Sequence, residues 1–329
     1  ARMAPLYSFV IPVLDEIANL DELATRLADV MTALGGECEA VLVDDGSTDG
    51  SFELMKEIHA RDPRIKAIRL SRNFGHQLAI TAGLEHARGR AVIIMDADLQ
   101  DPPEIALELA EKWREGYDVV YAVREARDGE SRIKRQTAKW FYRLMGRLGE
   151  VDIPPDAGDF RLVDRRALDS VLSMPEHHRY LRGLFAWVGY DQTGVHYHRA
   201  ARHAGTTKFP LRKMLGFAAD GILSFSMAPL RIALSLGFLV SFASILLGVL
   251  AVVLKLTGLY AAPGWASLVV GISLLGGIQL VVLGVIGEYV ARIHEEVKRR
   301  PLFLVRDAVG LDSESAAVVA DHSYRDRLA

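Results

Sequence analysis

The sequence predicts an α/β protein. A mostly parallel sheet fills the first two-thirds of the chain, followed by an interfacial helix region and two C-terminal transmembrane helices. Three observations carry this. Apolar strand-type runs alternate with helix-period segments from Tyr7 to Val123, the pattern of a parallel sheet covered on both faces. Three loops just past strand-type runs are acidic: Asp15-Glu16, Asp44-Asp45 and Asp96/Asp98. Two uncharged stretches follow, Ile232–Leu254 of 23 residues and Leu256–Gly287 of 32 residues. The 329 residues suffice for one large domain or two smaller ones.

Taken in order, Tyr7–Ile11 is a short apolar strand ending at Pro12. Leu6 to Val13, short, apolar and interrupted by Pro12, does not read as a signal peptide. Leu20, Leu23, Leu27, Val30, Met31 and Leu34 recur at spacings of three and four, and Gly35-Gly36 ends that helix. Ala40–Val43 is the second strand, running into Asp44-Asp45-Gly46-Ser47. Ser47-Thr48-Asp49 offers caps for a helix over Phe52–Arg61. Ile65–Leu70 is a third strand, and a helix over Gln77–Ala87 ends at Gly89. Ala91–Met95 is a fourth strand, Glu104–Glu115 a helix ending at Gly116, and Asp118–Val123 a fifth strand.

The fourth strand ends in Asp96-Ala97-Asp98-Leu99-Gln100-Asp101-Pro102-Pro103-Glu104. In extended chain Asp96 and Asp98 face the same way, and Gln100 continues that face. Pro102 and Pro103 stop a ladder and open a helix. Hard oxygen ligands at a buried strand end suit Mg²⁺ or Mn²⁺, which completes its shell with water and substrate phosphates. In parallel sheets ligands sit beyond the carboxyl ends of the strands. The three acidic strand ends all fall there, which favours a metal site over a solvated acidic loop. No G-x-G-x-x-G follows the first strand and no P-loop is present.

From Arg124 to Arg147 the chain becomes basic and amphipathic, with Trp140, Phe141 and Tyr142 among the cations. Such a segment suits a membrane surface or phosphate, or forms a solvated helix face. Gly158–Val163 follows, then a helix from about Arg166 and a strand-like run around Gly189–Arg199. Arg202 and Lys208 stand six apart in a polar loop.

Each uncharged stretch is long enough to cross a bilayer at about 1.5 Å per residue. Thr257–Gly264 reads as the turn between them and Trp265–Ile286 as the second span. Lys208, Arg212, Lys213 and Arg231 precede the first span, and Arg292, Lys298, Arg299, Arg300 and Arg306 follow the second. The connecting loop carries only Lys255. The positive-inside rule therefore places both termini and the N-terminal domain in the cytoplasm of a multi-pass protein of the inner or plasma membrane. The expected segments are residues 1–210, an interfacial region 211–230, the two spans within 231–288, and a cytoplasmic segment 289–329 that is polar and loose after Asp307. Small residues in the second span, Gly271, Gly276, Gly277 and Gly284, permit close helix contact and a homo-oligomer. A net charge of −3 argues against a nucleic-acid partner held by bulk electrostatics. A single cysteine, Cys38, excludes an internal disulfide, argues against a thiolate zinc site, and reads as a small core residue.

The motif set Ile11–Glu16, Val43–Asp49, Ser71-Arg72-Asn73-Phe74-Gly75-His76, Asp96–Glu104 and Gly158-Asp159-Phe160-Arg161 resembles family 2 glycosyltransferases of the GT-A fold. With two C-terminal spans it is similar to polyprenyl-phosphate glycosyltransferases of the GtrB/ArnC type, related to dolichyl-phosphate mannose synthase. The resemblance covers residues 6 to about 307 and departs at Leu14-Asp15, where the family usually has Tyr-Asn. It implies that Pro12, Asp15, Glu16, Asp44 and Asp45 border the nucleoside of a nucleotide-sugar donor. Asp98 and Gln100, with Asp96 close by, would hold Mg²⁺ or Mn²⁺ on the donor diphosphate, and Asp96 is shared between metal and sugar or ribose. Arg124, Arg127, Ser131 and Lys134 would form the acceptor-phosphate region. Arg202 and Lys208 would close over the phosphates.

Asp159 is the residue expected beside the acceptor, orienting the site more than removing a proton, or forming an internal ion pair with Arg161. The resemblance implies an inverting transfer of one sugar to polyprenyl phosphate at the cytoplasmic face, with UDP-glucose the favoured donor and UDP-GalNAc, UDP-linked aminoarabinose and GDP-mannose open. Two other readings are a processive polysaccharide synthase, which needs more spans and a Q-x-x-R-W-type motif, and a non-catalytic lipid-binding or flippase partner. The acidic motifs argue against the second.

Overall fold

The computed structural model describes residues 5–35, 37–124, 157–197, 228–257 and 264–311. Among them run the strands β1 (Tyr7–Val13), β2 (Cys38–Asp44), β3 (Ile65–Leu70), β4 (Ala91–Ile94), β5 (Val119–Arg124), β6 (Ala157–Asp164), β7 (Gln192–Tyr197) and β8 (Val305–Val309). The helices are α1 (Ile17–Leu34), α2 (Ser51–Arg61), α3 (His76–His86), α4 (Ile105–Arg114), α5 (Arg165–Leu172), α6 (Leu181–Trp187), α7 (Ala228–Leu256) and α8 (Trp265–Lys298).

All eight strands form one sheet in the order β7-β5-β6-β4-β1-β2-β3-β8. β1 pairs in parallel with β2 and β4, β2 with β3, and β5 with β7. Only β6 and β8 run against the rest. The sequence order reverses between β1 and β4, and ligands collect at such a switch point.

Alternation along β1 builds the two layers. Tyr7, Phe9, Ile11 and Val13 pack with α1, α2 and α4 residues such as Leu23, Leu27, Met55 and Leu109. Val10 faces the opposite layer with Ile80 and Leu84 of α3, Leu168 of α5 and Phe185 of α6. α3 lies so close that a Cβ on Gly83 would stand 2.3 Å from Val10 Cγ1. Cys38 is buried in β2, as a small core residue should be.

Pro12 lies inside β1 rather than at its end. Val10 O accepts from Met95 N–H, so Pro12, two residues on, turns its missing N–H to the β4 side. That side is past the last paired rung, Val10↔Ile94, so nothing is lost.

Two segments depart from the expectation. Gly158–Val163 belongs to β6, an antiparallel strand inserted between β4 and β5. The segment expected to be loose after Asp307 begins as sheet: Val305–Val309 pairs with β3 and covers that edge. An edge strand exposed on both sides can be polar, and Arg306 and Asp307 made this one look like tail.

α7 and α8 each hold a stretch long and apolar enough to cross a membrane, Leu230–Leu250 and Val270–Lys298. Leu234, Phe238, Leu239 and Phe242 of α7, and Leu280 and Val281 of α8, stand exposed. α8 continues well past the expected end at Ile286.

Candidate active site

The carboxyl ends of β1 and β2 are tied into one wall. The amides of Asp15, Glu16 and Ile17 donate in turn to Ser47 Oγ at 2.9 Å, Ser51 Oγ at 3.2 Å and Asp49 Oδ2 at 3.1 Å. Thr48 N–H returns a bond to Asp15 Oδ1 at 2.8 Å. These bonds satisfy amides that open α1, and Asp49 Oδ1 accepts the N–H of Ser51, the first residue of α2, at 2.9 Å. The N-cap position itself falls on Gly50, one residue past the expected group Ser47-Thr48-Asp49, and carries no side-chain cap bond. Asp15 takes a left-handed φ of 51° at this junction and stays exposed, whereas Pro12 and Asp44 are buried and Glu16 half-buried. Asp44 Oδ1 accepts Ser47 N–H at 2.8 Å, and Arg69 Nε lies 3.3 Å from Oδ2.

Asp45 ties the wall to the next loop. Its two oxygens accept the N–H groups of Phe74 at 2.7 Å and Gly75 at 3.0 Å. Burial pushes the Asp45 carboxyl up, and the two amides pull against it. The approach is close: a Cβ on Gly46, at φ +80°, would stand 2.8 Å from Asn73 N. This loop delivers His76 to the first position of α3.

At the end of β4, Asp98 Oδ1 accepts Gln100 N–H at 3.1 Å. Leu99 is buried at a left-handed φ of 56°, which folds the loop back on itself. Asp101 is fully buried and hydrogen-bonds Tyr197 Oη at the end of β7. The D-x-D loop is therefore anchored to the far edge strand.

β6 brings Asp159 to the same place. Ile94 pairs with Arg161, so in an antiparallel ladder Asp159 lies across from Asp96. His76 Nε2 stands between them, 3.5 Å from Asp96 Oδ1 and 3.4 Å from Asp159 Oδ2. Arg182 of α6 forks onto Asp159, Nε to Oδ1 at 2.8 Å and Nη2 to Oδ2 at 3.1 Å. Gln77 Nε2 reaches Asp159 Oδ2 at 3.5 Å, and Gln77 Oε1 accepts Leu181 N–H at 3.1 Å. The expected ion pair of Asp159 with Arg161 is replaced by this one. Arg161 sends Nη2 to Gly158 O at 2.8 Å and lies over the Phe185 ring.

The cluster's charges follow from its packing. Burial works to raise the Asp159 carboxyl, but Arg182 and His76 overcome it and hold it well below the usual range. Burial works to lower His76, but the hydrogen bond to Asp159 and the charges of Asp96 and Asp159 raise it to about 9. Burial raises Asp96 to about 6, with the His76 charge opposing.

The donor set can be tested for a divalent cation. Asp96 Oδ1 is buried with no hydrogen-bond partner, and Gln100, four residues on, is buried as well. Among the described residues, no three His, Cys, Asp or Glu side chains already form a cage. Two carboxylates completed by phosphate oxygens are the usual arrangement for Mg²⁺. The residues fit such an ion.

The family model for glycosyl transferase family 2 matches residues 8–172. The chain belongs to glycosyl transferase family 2. This makes it a glycosyltransferase with the α/β fold of that family. Two glycosyltransferases described as uncharacterized are 48% identical to it: YkcC of Bacillus subtilis (strain 168), over 94% of this chain and 95% of the relative, and sll0501 of Synechocystis sp., over 93% and 96%. The bactoprenol glucosyl transferase of Shigella phage SfII is 38% identical over 91% of this chain and 97% of its own.

For this family 2 enzyme, Pro12, Asp15, Glu16, Asp44, Asp45, Asp96, Asp98, Gln100 and Asp159 all map to one edge of the sheet. Arg124 ends β5 at that edge, in register with Tyr197. Arg127, Ser131, Lys134, Arg202 and Lys208 lie outside the described residues. Sequence reasoning gave no role to His76, Gln77, Asp101, Arg182 or Tyr197. His76 and Asp101 lie within the motifs; Gln77 directly follows one; Arg182 and Tyr197 carry no motif signal.

Proposed function

We propose that the enzyme transfers a single sugar from a nucleotide sugar to polyprenyl phosphate at the cytoplasmic face of a membrane, with UDP-glucose the favoured donor. One observation carries this reading: the chain that brings Asp96, His76, Asp159 and Arg182 together also holds two helices of membrane-crossing length. Soluble acceptors need no such helices. The bactoprenol glucosyl transferases of Shigella phages SfII and SfV, 38% identical over 91% of this chain, support it, because the similarity spans the site and the helices together.

In this reading Pro12, Asp15, Glu16, Asp44 and Asp45 form or brace the nucleoside wall, and Asp96, Asp98 and Gln100 would hold Mg²⁺ or Mn²⁺. The ion supplies positive charge to the donor diphosphate and to the leaving group. Arg202 and Lys208 close over that diphosphate, and Arg124, Arg127, Ser131 and Lys134 hold the acceptor phosphate. A phosphate oxygen of the acceptor bonds the anomeric carbon while the bond to the nucleoside diphosphate breaks, its electron pair leaving with the diphosphate. A phosphate monoester, with a second pKa of about 6, is already mostly dianionic at neutral pH. Asp159, held anionic by Arg182 and His76, is a poor proton acceptor and orients the site. Direct displacement inverts the anomeric centre.

The test is a donor screen with purified protein, polyprenyl phosphate and Mn²⁺ in lipid, reading nucleotide release and the lipid product. The expected product is sugar-phosphoryl-polyprenol of inverted configuration from a UDP-sugar. Turnover with GDP-mannose alone would make the enzyme a mannose synthase. Retained configuration would reject direct displacement, and silence with every donor would favour a non-catalytic lipid-binding role.

A further inference from the structure

The end of α8 and the segment after it each touch the N-terminal domain, and both contacts lead to the Asp159 cluster. Glu288–Lys298, 11 residues, extends α8 by about 16 Å beyond its uncharged part. At its tip Glu296 Oε1 accepts His177 N–H at 2.7 Å, and Glu295 Oε2 meets His178 Nε2 at 2.6 Å. His177 and His178 lie just before α6, whose Leu181 and Arg182 hold Gln77 and Asp159.

Arg299, at φ 46°, then reverses the chain. Phe303 enters the core with Val41, Val43, Ile68 and Leu70, only 5% exposed. Leu304 O accepts Ser71 N–H at 2.8 Å. Ser71 opens the loop that grips Asp45 and presents His76.

A site that takes its acceptor from a bilayer must stand at a set height, and a domain on a loose tether samples many. Small misplacement is expensive: about 1 Å can cost about 100-fold in rate. We propose that Glu295, Glu296 and Phe303 are positioning residues, a two-point brace that sets the height of the Asp159 site over the bilayer. This rests on the polyprenyl-phosphate reading above.

The test uses the full chain in lipid nanodiscs with the double variant Glu295→Ala/Glu296→Ala. Both side chains face solvent, so the fold should survive. Two acceptors are compared, long-chain polyprenyl phosphate in the bilayer and a short-chain, water-soluble prenyl phosphate. The expected result is a drop in kcat of about 10-fold with the long chain, with the short-chain rate and the donor KM unchanged. Glu296→Gln, which keeps an acceptor for His177 N–H, should retain the long-chain rate, and His178→Ala should repeat part of the loss. Equal losses with both acceptors, or none with either, would overturn the brace. If the unsubstituted protein transfers sugar to neither acceptor, the polyprenyl-phosphate reading fails and the brace with it.

Discussion

Asp159 and Arg182 meet through two parallel hydrogen bonds, although they are distant in sequence and lie on different elements. The carboxylate side chain is 11% exposed and the guanidinium 23%. Removing one partner of a buried pair leaves an uncompensated charge. Arg182→Ala should therefore destabilise the fold by about 3 kcal/mol, the low end for buried pairs because Arg182 keeps some solvent. Arg182→Lys loses the fork but keeps the charge and should cost less. Denaturant unfolding of the variants checks the order, and transfer rates should follow it.

His76 makes part of that stability depend on pH. Its folded value of about 9 lies above the ordinary 6.5. The stabilisation is complete below 6.5 and disappears as pH rises through about 9. The melting temperature of the wild type minus that of His76→Gln should be constant at mildly acidic pH and shrink across that window. A gap that grew with pH would reverse the assignment. Asp159 has the opposite sense: held low, its contribution is present above the ordinary 3.8 and is lost only as pH falls below it.

Asp98→Ala removes one of the carboxylates proposed for the metal. Transfer should fall by at least about 100-fold, as when a group stabilising developing charge is lost. Mn²⁺ affinity, followed by electron paramagnetic resonance, should weaken in parallel, while melting changes little. Near-normal transfer that still needs metal would place the ion elsewhere.

Gly46→Ala tests the junction of the proposed nucleoside wall with the His76 loop. The added Cβ would stand 2.8 Å from Asn73 N and 2.9 Å from Arg72 C, at a φ of +80°. Strain of this kind costs about 1–3 kcal/mol. Unfolding should show that loss, and donor affinity should drop with it because the wall and the loop move apart.

Phe303→Ala should destabilise the N-terminal domain by about 3–5 kcal/mol, since it empties a site among Val41, Val43, Ile68 and Leu70. A loss below about 1 kcal/mol would mean that the segment is not seated in the core. Urea unfolding of the full chain in detergent reads it.

The strands β1 to β5 and helices α1 to α4 were legible because each buried face repeats at period 2 or 3.6 and several ends carry Gly, Pro or Asp. β6 was not, because its first half holds Gly158, Asp159 and Arg161, which break the apolar run, and Asp159 is spent on the site. β8 was hidden by Arg306 and Asp307, which an edge strand tolerates. In the site, the acidic strand ends were legible since topology alone puts them together. Arg182 was invisible: an arginine in the first turn of a short helix has no spacing that announces a partner on a distant strand. The role of His76 was equally hidden, since it depends on the antiparallel entry of β6 opposite Asp96.

β8 has a consequence for how the chain is made. The sheet's β3 edge is covered by residues that come after both long apolar helices in the chain. Domains fold as they emerge, N-terminal parts first, so this sheet waits with one margin open while α7 and α8 are synthesised. Its last strand arrives only after both helices have been made. Completion of the sheet thus reports that both long apolar helices have already been made, and a chain stalled before Phe303 would carry an unsealed, adhesive strand.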